Sequence, residues 1–129
     1  MTEMNPNPEN DALEITIETV QEALEDTKAE ELVVYYLKQT AVCDVVMIAT
    51  SNNPNHSRAL IRSVVKALKT ASEEPGAEEE TSAQASDQSD GWAVVDLNTI
   101  MVHVLNKEMR DFYGIDAWFA EKSDQVVHL

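Results

Sequence analysis

Residues 90–105 read DGWAVVDLNTIMVHVL: two short apolar runs on either side of Asn98-Thr99, each holding one ionisable side chain, Asp96 in the first and His103 in the second. Strand-length runs rich in Val, Ile and Trp around a two-residue polar break predict a β-hairpin. With Asn98-Thr99 as the turn, Leu97 faces Ile100, Val94 faces His103 and Trp92 faces Leu105. Alternation then puts Trp92, Val94 and Asp96 on one face with Met101, His103 and Leu105. Asp96 and His103 become diagonal neighbours, about 7–8 Å apart between backbones, which permits a hydrogen bond without requiring one. The sequence near them supplies no nucleophile or metal ligand. Catalysis therefore ranks behind a structural polar pair, and behind a recognition surface anchored by Trp92, a residue type enriched in binding hot spots.

Downstream, NKEMRDFYGIDAWFAE (106–121) predicts one or two short helices broken near Gly114, and residues 121–129 read as a loose C-terminal tail. Upstream, residues 73–90 contain no large apolar side chain and are expected to form an acidic mobile loop. Before it, SNNPNHSRALIRSVVKALKTA opens on an Asn53-Pro54 helix start and carries Leu60, Val64, Ala67, Leu68 and Ala71 along one side. EELVVYYL (30–37) and CDVVMIAT (43–50) have strand composition and length. Leu13, Ile17, Val20 and Leu24 recur at helical spacing, and Asp11 with Glu14 suggests a capping box that starts that helix. Residues 1–10, polar and holding Pro6 and Pro8, read as a disordered tail. The element order predicts one α/β domain over 11–120, a small sheet with helices packed on both faces, because its strands are apolar on both sides.

The charge narrows the partner class. With 24 Asp+Glu against 9 Lys+Arg the chain carries −15, which argues against a general phosphate-backbone binder and predicts little direct nucleic acid contact. Four of the nine basic residues, Arg58, Arg62, Lys66 and Lys69, fall on one edge of the second helix. A solvated face is the plainer reading of that stripe. It is also the one place where this acidic chain could meet RNA phosphate or a partner's carboxylates. The single cysteine, Cys43, excludes an internal disulfide framework, and the N-terminus has neither a signal-peptide nor a transit-peptide pattern. No apolar run approaches the roughly 18 residues of a membrane span. A cytoplasmic protein without membrane contact is the expectation. His56, His103 and His128 show no zinc spacing with one another or with Cys43, and Gly76, Gly91 and Gly114 form no phosphate loop, so no metal and no cofactor are expected. Tyr35 and Tyr36 suit strand packing, whereas Tyr113, near Arg110 and Trp118, suits either the core or an exposed aromatic patch.

These motifs together resemble the ribosomal silencing factor, or Iojap-related, family. GWAVVDLNTIMVHVL followed by NKEMRDFYGIDAWF is similar to its Trp-x-x-x-Asp strand, its apolar VHV strand and its Arg-x-x-Tyr segment, with Trp92, Asp96, Val102-His103-Val104, Arg110 and Tyr113 at those positions. KAEEL (28–32) resembles the family's entry to the first strand. CDVVMIATSNNPNHSRAL resembles its strand, Ala-Thr, polar loop and helix start, here Asp44, Ala49, Thr50, His56, Arg58 and Ala59. The likeness covers roughly residues 11–120, with Ser51 where the family usually has Gly and a longer acidic segment before Trp92.

The resemblance implies a nucleotidyltransferase-like topology put to non-enzymatic use. Such a protein binds the large ribosomal subunit through its protein numbered fourteen, blocks association with the small subunit when nutrients are scarce, and self-associates as a homodimer when free. Partner-binding residues expected from the motifs and the basic stripe together are Trp92, Asp96, Arg58, Arg62, His56, Arg110 and Tyr113, with His103 mainly structural. The competing readings are an enzyme using Asp44, Asp96 and His103, and a plain adaptor acting through residues 73–90. Against the enzyme stands the lack of an Asp-x-Asp metal pair after a Gly-Ser.

Overall fold

β2 (Val45–Ser51) is buried along its whole length, and a strand apolar on both sides belongs at the centre of a sheet covered by helices. In the computed structural model, which describes residues 8–38, 43–72, 84–88, 92–97 and 99–129, it lies there. The chain runs α1 (Pro8–Asp26), β1 (Glu30–Leu37), β2, α2 (Pro54–Ser72), β3 (Gln84–Gln88), β4 (Trp92–Asp96), β5 (Ile100–Asn106), α3 (Lys107–Tyr113), α4 (Ile115–Glu121) and β6 (Ser123–His128). The strands form one six-stranded sheet in the order β3-β4-β5-β2-β1-β6. β2 and β5 are parallel, and every other pair is antiparallel, so the sheet is mixed.

The hairpin has the predicted register: Trp92 opposes Leu105, Val94 opposes His103, and Asp96 opposes Met101. The Leu97 amide donates to the Ile100 carbonyl at 2.8 Å and closes the turn. Alternation along these strands divides the core in two. Against α1 and α2 lie Leu32, Val34, Met47, Ala49, Val95, Val102 and Val104, packed on Ile17, Val20, Leu24, Leu60 and Val64. On the other face Val33, Tyr35, Val46, Ile48 and Leu105 pack on Ile115, with Trp92, Met101, Phe119 and Val126 partly buried at the margin. Each fully buried Leu or Val stabilises the fold by roughly 1.5–3 kcal/mol relative to exposure.

Three expectations change. α1 begins at Pro8, whose fixed φ suits a first helical turn, so Asp11 lies inside the helix and does not cap it. Residues 1–7 lie outside the described residues. The tail expected to be loose is β6, paired antiparallel with β1 from Val33↔His128 to Leu37↔Ser123. Val126 and Val127 point to opposite cores, and the Leu129 amide bonds to the Leu32 carbonyl at 2.9 Å. β1 would otherwise leave a row of backbone donors and acceptors unpaired, and the short Val-Val run is enough to occupy that edge. Part of the segment expected to be a loop is β3, held by backbone pairing to β4 from Gln84↔Asp96 to Gln88↔Trp92. Residues 73–83 and 89–91 lie outside the described residues.

Candidate partner-binding surface

α3 and α4 cover the smaller core, and the joint between them sets what that face presents. Asn106 caps α3, its side-chain oxygen accepting from the Met109 amide at 2.8 Å. Gly114 then takes φ 59°, a left-handed conformation that closes α3 through its amide to the Arg110 carbonyl at 3.2 Å and starts α4 in a new direction. Ile115 turns into the core beneath the joint.

Arg110 fixes this arrangement from inside. Its guanidinium grips Asp116 with two hydrogen bonds, Nε to Oδ2 at 2.6 Å and Nη2 to Oδ1 at 2.9 Å. Nη1 donates to Thr50 Oγ1 at 2.7 Å and to the Glu31 carbonyl at 2.8 Å. The Tyr35 hydroxyl donates to Asp116 as well. Glu31 holds φ 52° at an irregularity in the β1–β2 register, a strained position that aims its carbonyl at Arg110. Burial alone would lower the Arg110 pKa and raise that of Asp116; their mutual pairing outweighs burial and moves each the other way, keeping both charged. Burial, then the bond to Asp116, pushes the Tyr35 hydroxyl pKa up. Arg110 is only 6 % exposed and joins β1, β2, α3 and α4 from within.

On the same face the Trp92 indole N–H donates to His103 Nδ1 at 3.2 Å, which leaves the His103 proton on Nε2. Nε2 is buried without a partner among the described residues, so neither ring nitrogen is bonded to Asp96. Burial lowers the His103 pKa to about 4 and keeps the ring neutral. His103 packs on Trp92 and Phe119, with ring centroids 6.1 and 5.6 Å away, and serves the fold. Asp96 is exposed at the end of β4.

Around this pair the aromatic contacts run outward. Tyr113 lies 5.3 Å from Trp92, Phe112 stands edge-on to Tyr113, and Trp118 stands edge-on to Phe119 with the Lys122 ammonium 4.2 Å over its ring. Phe112 is 78 % exposed, Tyr113 54 % and Trp118 53 %. The same helices carry exposed Glu108, Asp111 and Glu121. A surface of this kind offers large rigid rings and negative charge, which suit the aliphatic stems and cations of a basic protein.

The seven expected residues therefore part company. Trp92 and Tyr113 meet on the α3–α4 side, while Asp96, on the same face of the sheet, lies at the other end of β4 opposite Met101. Arg58 and Arg62 are exposed on α2, against the opposite face of the sheet. His56 is half-buried and engaged within the fold: Nδ1 accepts from the Asn52 amide at 2.9 Å and Nε2 bonds to the Thr27 carbonyl at 2.8 Å, tying the start of α2 to the residue after α1. Phe112 and Trp118 were not among the seven. Their signal was the adjacent pairs Phe112-Tyr113 and Trp118-Phe119, since neighbours on a helix point about 100° apart and two large rings cannot both enter a narrow core.

Comparison with known proteins agrees with the motifs. A family model described as "Ribosomal silencing factor during starvation" matches residues 9–128. A ribosomal silencing factor of Chromobacterium violaceum is 31 % identical over 108 residues, covering 82 % of this chain and 84 % of the relative. A crystal structure of a Chromobacterium violaceum protein superposes with TM-score 0.70 at 27 % identity, covering 82 % of this chain and 84 % of that one. A Bacillus halodurans crystal structure shares the fold, with TM-score 0.68 at 20 % identity, over 90 % of this chain and 99 % of that one.

Proposed function

Because the chain belongs to the ribosomal silencing factor family, matched over residues 9–128, we propose that it represses translation during nutrient limitation by binding the large ribosomal subunit through its protein numbered fourteen. The bound chain then blocks association with the small subunit. The observation that carries this reading is the set of exposed rings on α3 and α4, Phe112, Tyr113 and Trp118, of which Tyr113 packs on Trp92, with Glu108, Asp111 and Glu121 exposed on the same helices. Large exposed rings grouped on one surface of a chain with net charge −15 suit a basic protein, and long-range attraction speeds the encounter. Asp96, on the same side of the sheet as Trp92, adds a second exposed acid at the far end of β4.

We read the chain as a binder that catalyses nothing. β2 and β5 are parallel neighbours whose following helices leave to opposite faces, the place where α/β enzymes bind ligands. A cleft of about 340 Å³ lies at that end, lined by Glu31, Tyr35, Arg110 and Asp116 among others. These four are engaged with one another, and the Arg110 guanidinium is directed at protein oxygens. No described helix is long and apolar enough to cross a membrane. The ribosome sets the compartment of action in this reading, the cytoplasm.

The test is subunit joining in a reconstituted system. Excess chain should reduce joining and co-sediment with free large subunits. The Phe112→Ala, Trp118→Ala double variant should lose affinity by about 2 kcal/mol or more, as central aromatic anchors do, while keeping its unfolding midpoint. Unchanged joining in the presence of excess chain would overturn the silencing reading.

A further inference from the structure

α2 is a 19-residue helix without a single Asp or Glu, in a chain where acids outnumber bases 24 to 9. Its neighbour α1 is the reverse, with Glu14, Glu18, Glu22, Glu25 and Asp26 and no base. Arg58, Arg62, Lys66 and Lys69 are all exposed, and among the described residues none forms an ion pair. Three of the other bases are differently used: Arg110 is buried on Asp116, Lys107 lies 3.6 Å from Asp111, and Lys122 sits over Trp118. At 3.6 residues per turn the four stripe residues fall within an arc of about 80° and a length of about 16 Å. That arc is opposite the buried Ser57, Leu60 and Val64. It is also roughly a quarter turn from Ser63, which meets α1 through the Ala23 carbonyl and the Thr27 hydroxyl. Arg58 bonds Asn55 through Nη2 at 2.9 Å and keeps its other donors for solvent.

We propose that this stripe is a phosphate-contacting surface that meets the RNA of the large subunit once the aromatic face has docked; the proposal rests on the silencing reading. The aromatic face lies on the far side of the sheet, so a subunit site that extends around the domain can engage both surfaces without competition between them. Phosphate is favoured over an acidic protein because the stripe is a linear array, with neighbours about 6 Å apart along the helix where they are spaced by four residues. No aromatic side chain interrupts it to anchor a protein. The net charge of −15 gives the contact a condition. Free RNA is repelled by the chain as a whole, and the stripe adds orientation and hold only where docking has already brought phosphate within the roughly 10 Å over which charges act at 0.1 M salt.

The test measures binding of the full chain and of its Arg62→Gln, Lys66→Gln double variant to intact large subunits and to the purified large-subunit protein numbered fourteen, each across a salt series. Gln preserves helix propensity, so the fold should be unchanged by circular dichroism and unfolding midpoint. For intact subunits the variant should bind about tenfold more weakly at low salt, with the slope of log K against log salt reduced by about 1–2, near 0.9 for each phosphate that is no longer neutralised. Binding to the isolated protein should not change. An equal loss on the isolated protein would show that the stripe meets protein, and unaltered affinity and slope on subunits would return it to a solvated face; either overturns the proposal while leaving the silencing reading intact. Failure of the unaltered chain to bind subunits at all would overturn both.

Discussion

The two faces of one sheet are finished differently. Under α1 and α2 the contacts are between fully buried aliphatic side chains, with Val20, Leu24, Leu60 and Val64 wholly removed from solvent. Under α3 and α4 the cover is two seven-residue helices, braced by Arg110 and Asp116, and beside a small core stand rings that are half or more exposed. The first face closes the domain. The second is closed only as far as Ile115 and Phe119 reach, and among the described residues nothing shields its outer aromatics. In the proposed function the larger core and the docking rings therefore lie on opposite sides of the sheet, and substitutions in that core and at those rings should separate stability from docking.

The largest separation is expected at Leu60, wholly buried on the α2 side. Leu60→Ala removes transfer energy and leaves a cavity, and should cost about 3–4 kcal/mol in unfolding free energy. Below the lowered melting temperature, affinity for large subunits per folded molecule should stay the same. Chemical denaturation and co-sedimentation at low temperature measure the two quantities. A parallel loss of affinity would mean that the faces are mechanically linked.

Next in size is a pH effect confined to the other face. His103 is 7 % exposed, and burial lowers its pKa from 6.5 to about 4. A histidine whose folded pKa lies below its unfolded one binds fewer protons folded than unfolded between the two values. Stability is thus full above about pH 6.5, falls as pH drops toward 4, and loses nothing further from this group below that. At 1.36 kcal/mol per pH unit the span is about 3 kcal/mol. Carboxylates titrate near the lower end too, so the informative quantity is the difference from His103→Gln, whose unfolding midpoint should fall less steeply over that window. Identical pH profiles would mean that the ring is not held neutral by burial.

What the sequence disclosed follows the same division. Elements whose conformation is decided locally were legible: the hairpin register, because side-chain period and a two-residue turn determine it, and the basic stripe, because helical spacing does. Elements decided by distant partners were not. Arg110 reads as a surface cation until Asp116, Thr50 and the Glu31 carbonyl are known to converge on it from α4, β2 and β1. His56 likewise resembles a contact residue until the Thr27 carbonyl is found 2.8 Å from its Nε2. β6 is a strand because the edge of β1 is open to it, which nothing in SDQVVH announces. Of the candidate site, Trp92, Asp96 and Tyr113 were legible as motif positions. Phe112 and Trp118 were not, since exposure depends on how little of the sheet two short helices can cover.

The smallest expected effect tests the joint that makes the second face what it is. Gly114 holds φ 59°, and a Cβ added there meets nothing within 4 Å. Gly114→Ala therefore carries no steric clash with neighbours, only the intrinsic cost of a left-handed backbone for an L side chain, about 1–2 kcal/mol, partly offset because alanine restricts the unfolded chain more than glycine does. A net loss of about 1 kcal/mol is expected in denaturation. Asn, which tolerates this region better, should recover part of it. Affinity for large subunits should hold if the α3–α4 angle persists under that strain, because Arg110 and Asp116 clamp the helices independently of Gly114. A loss of affinity well beyond the loss of stability would instead show that the angle relaxes, that the glycine and not the ion pair sets the separation of Phe112 from Trp118, and that the recognition face is adjustable where the α1–α2 face is not.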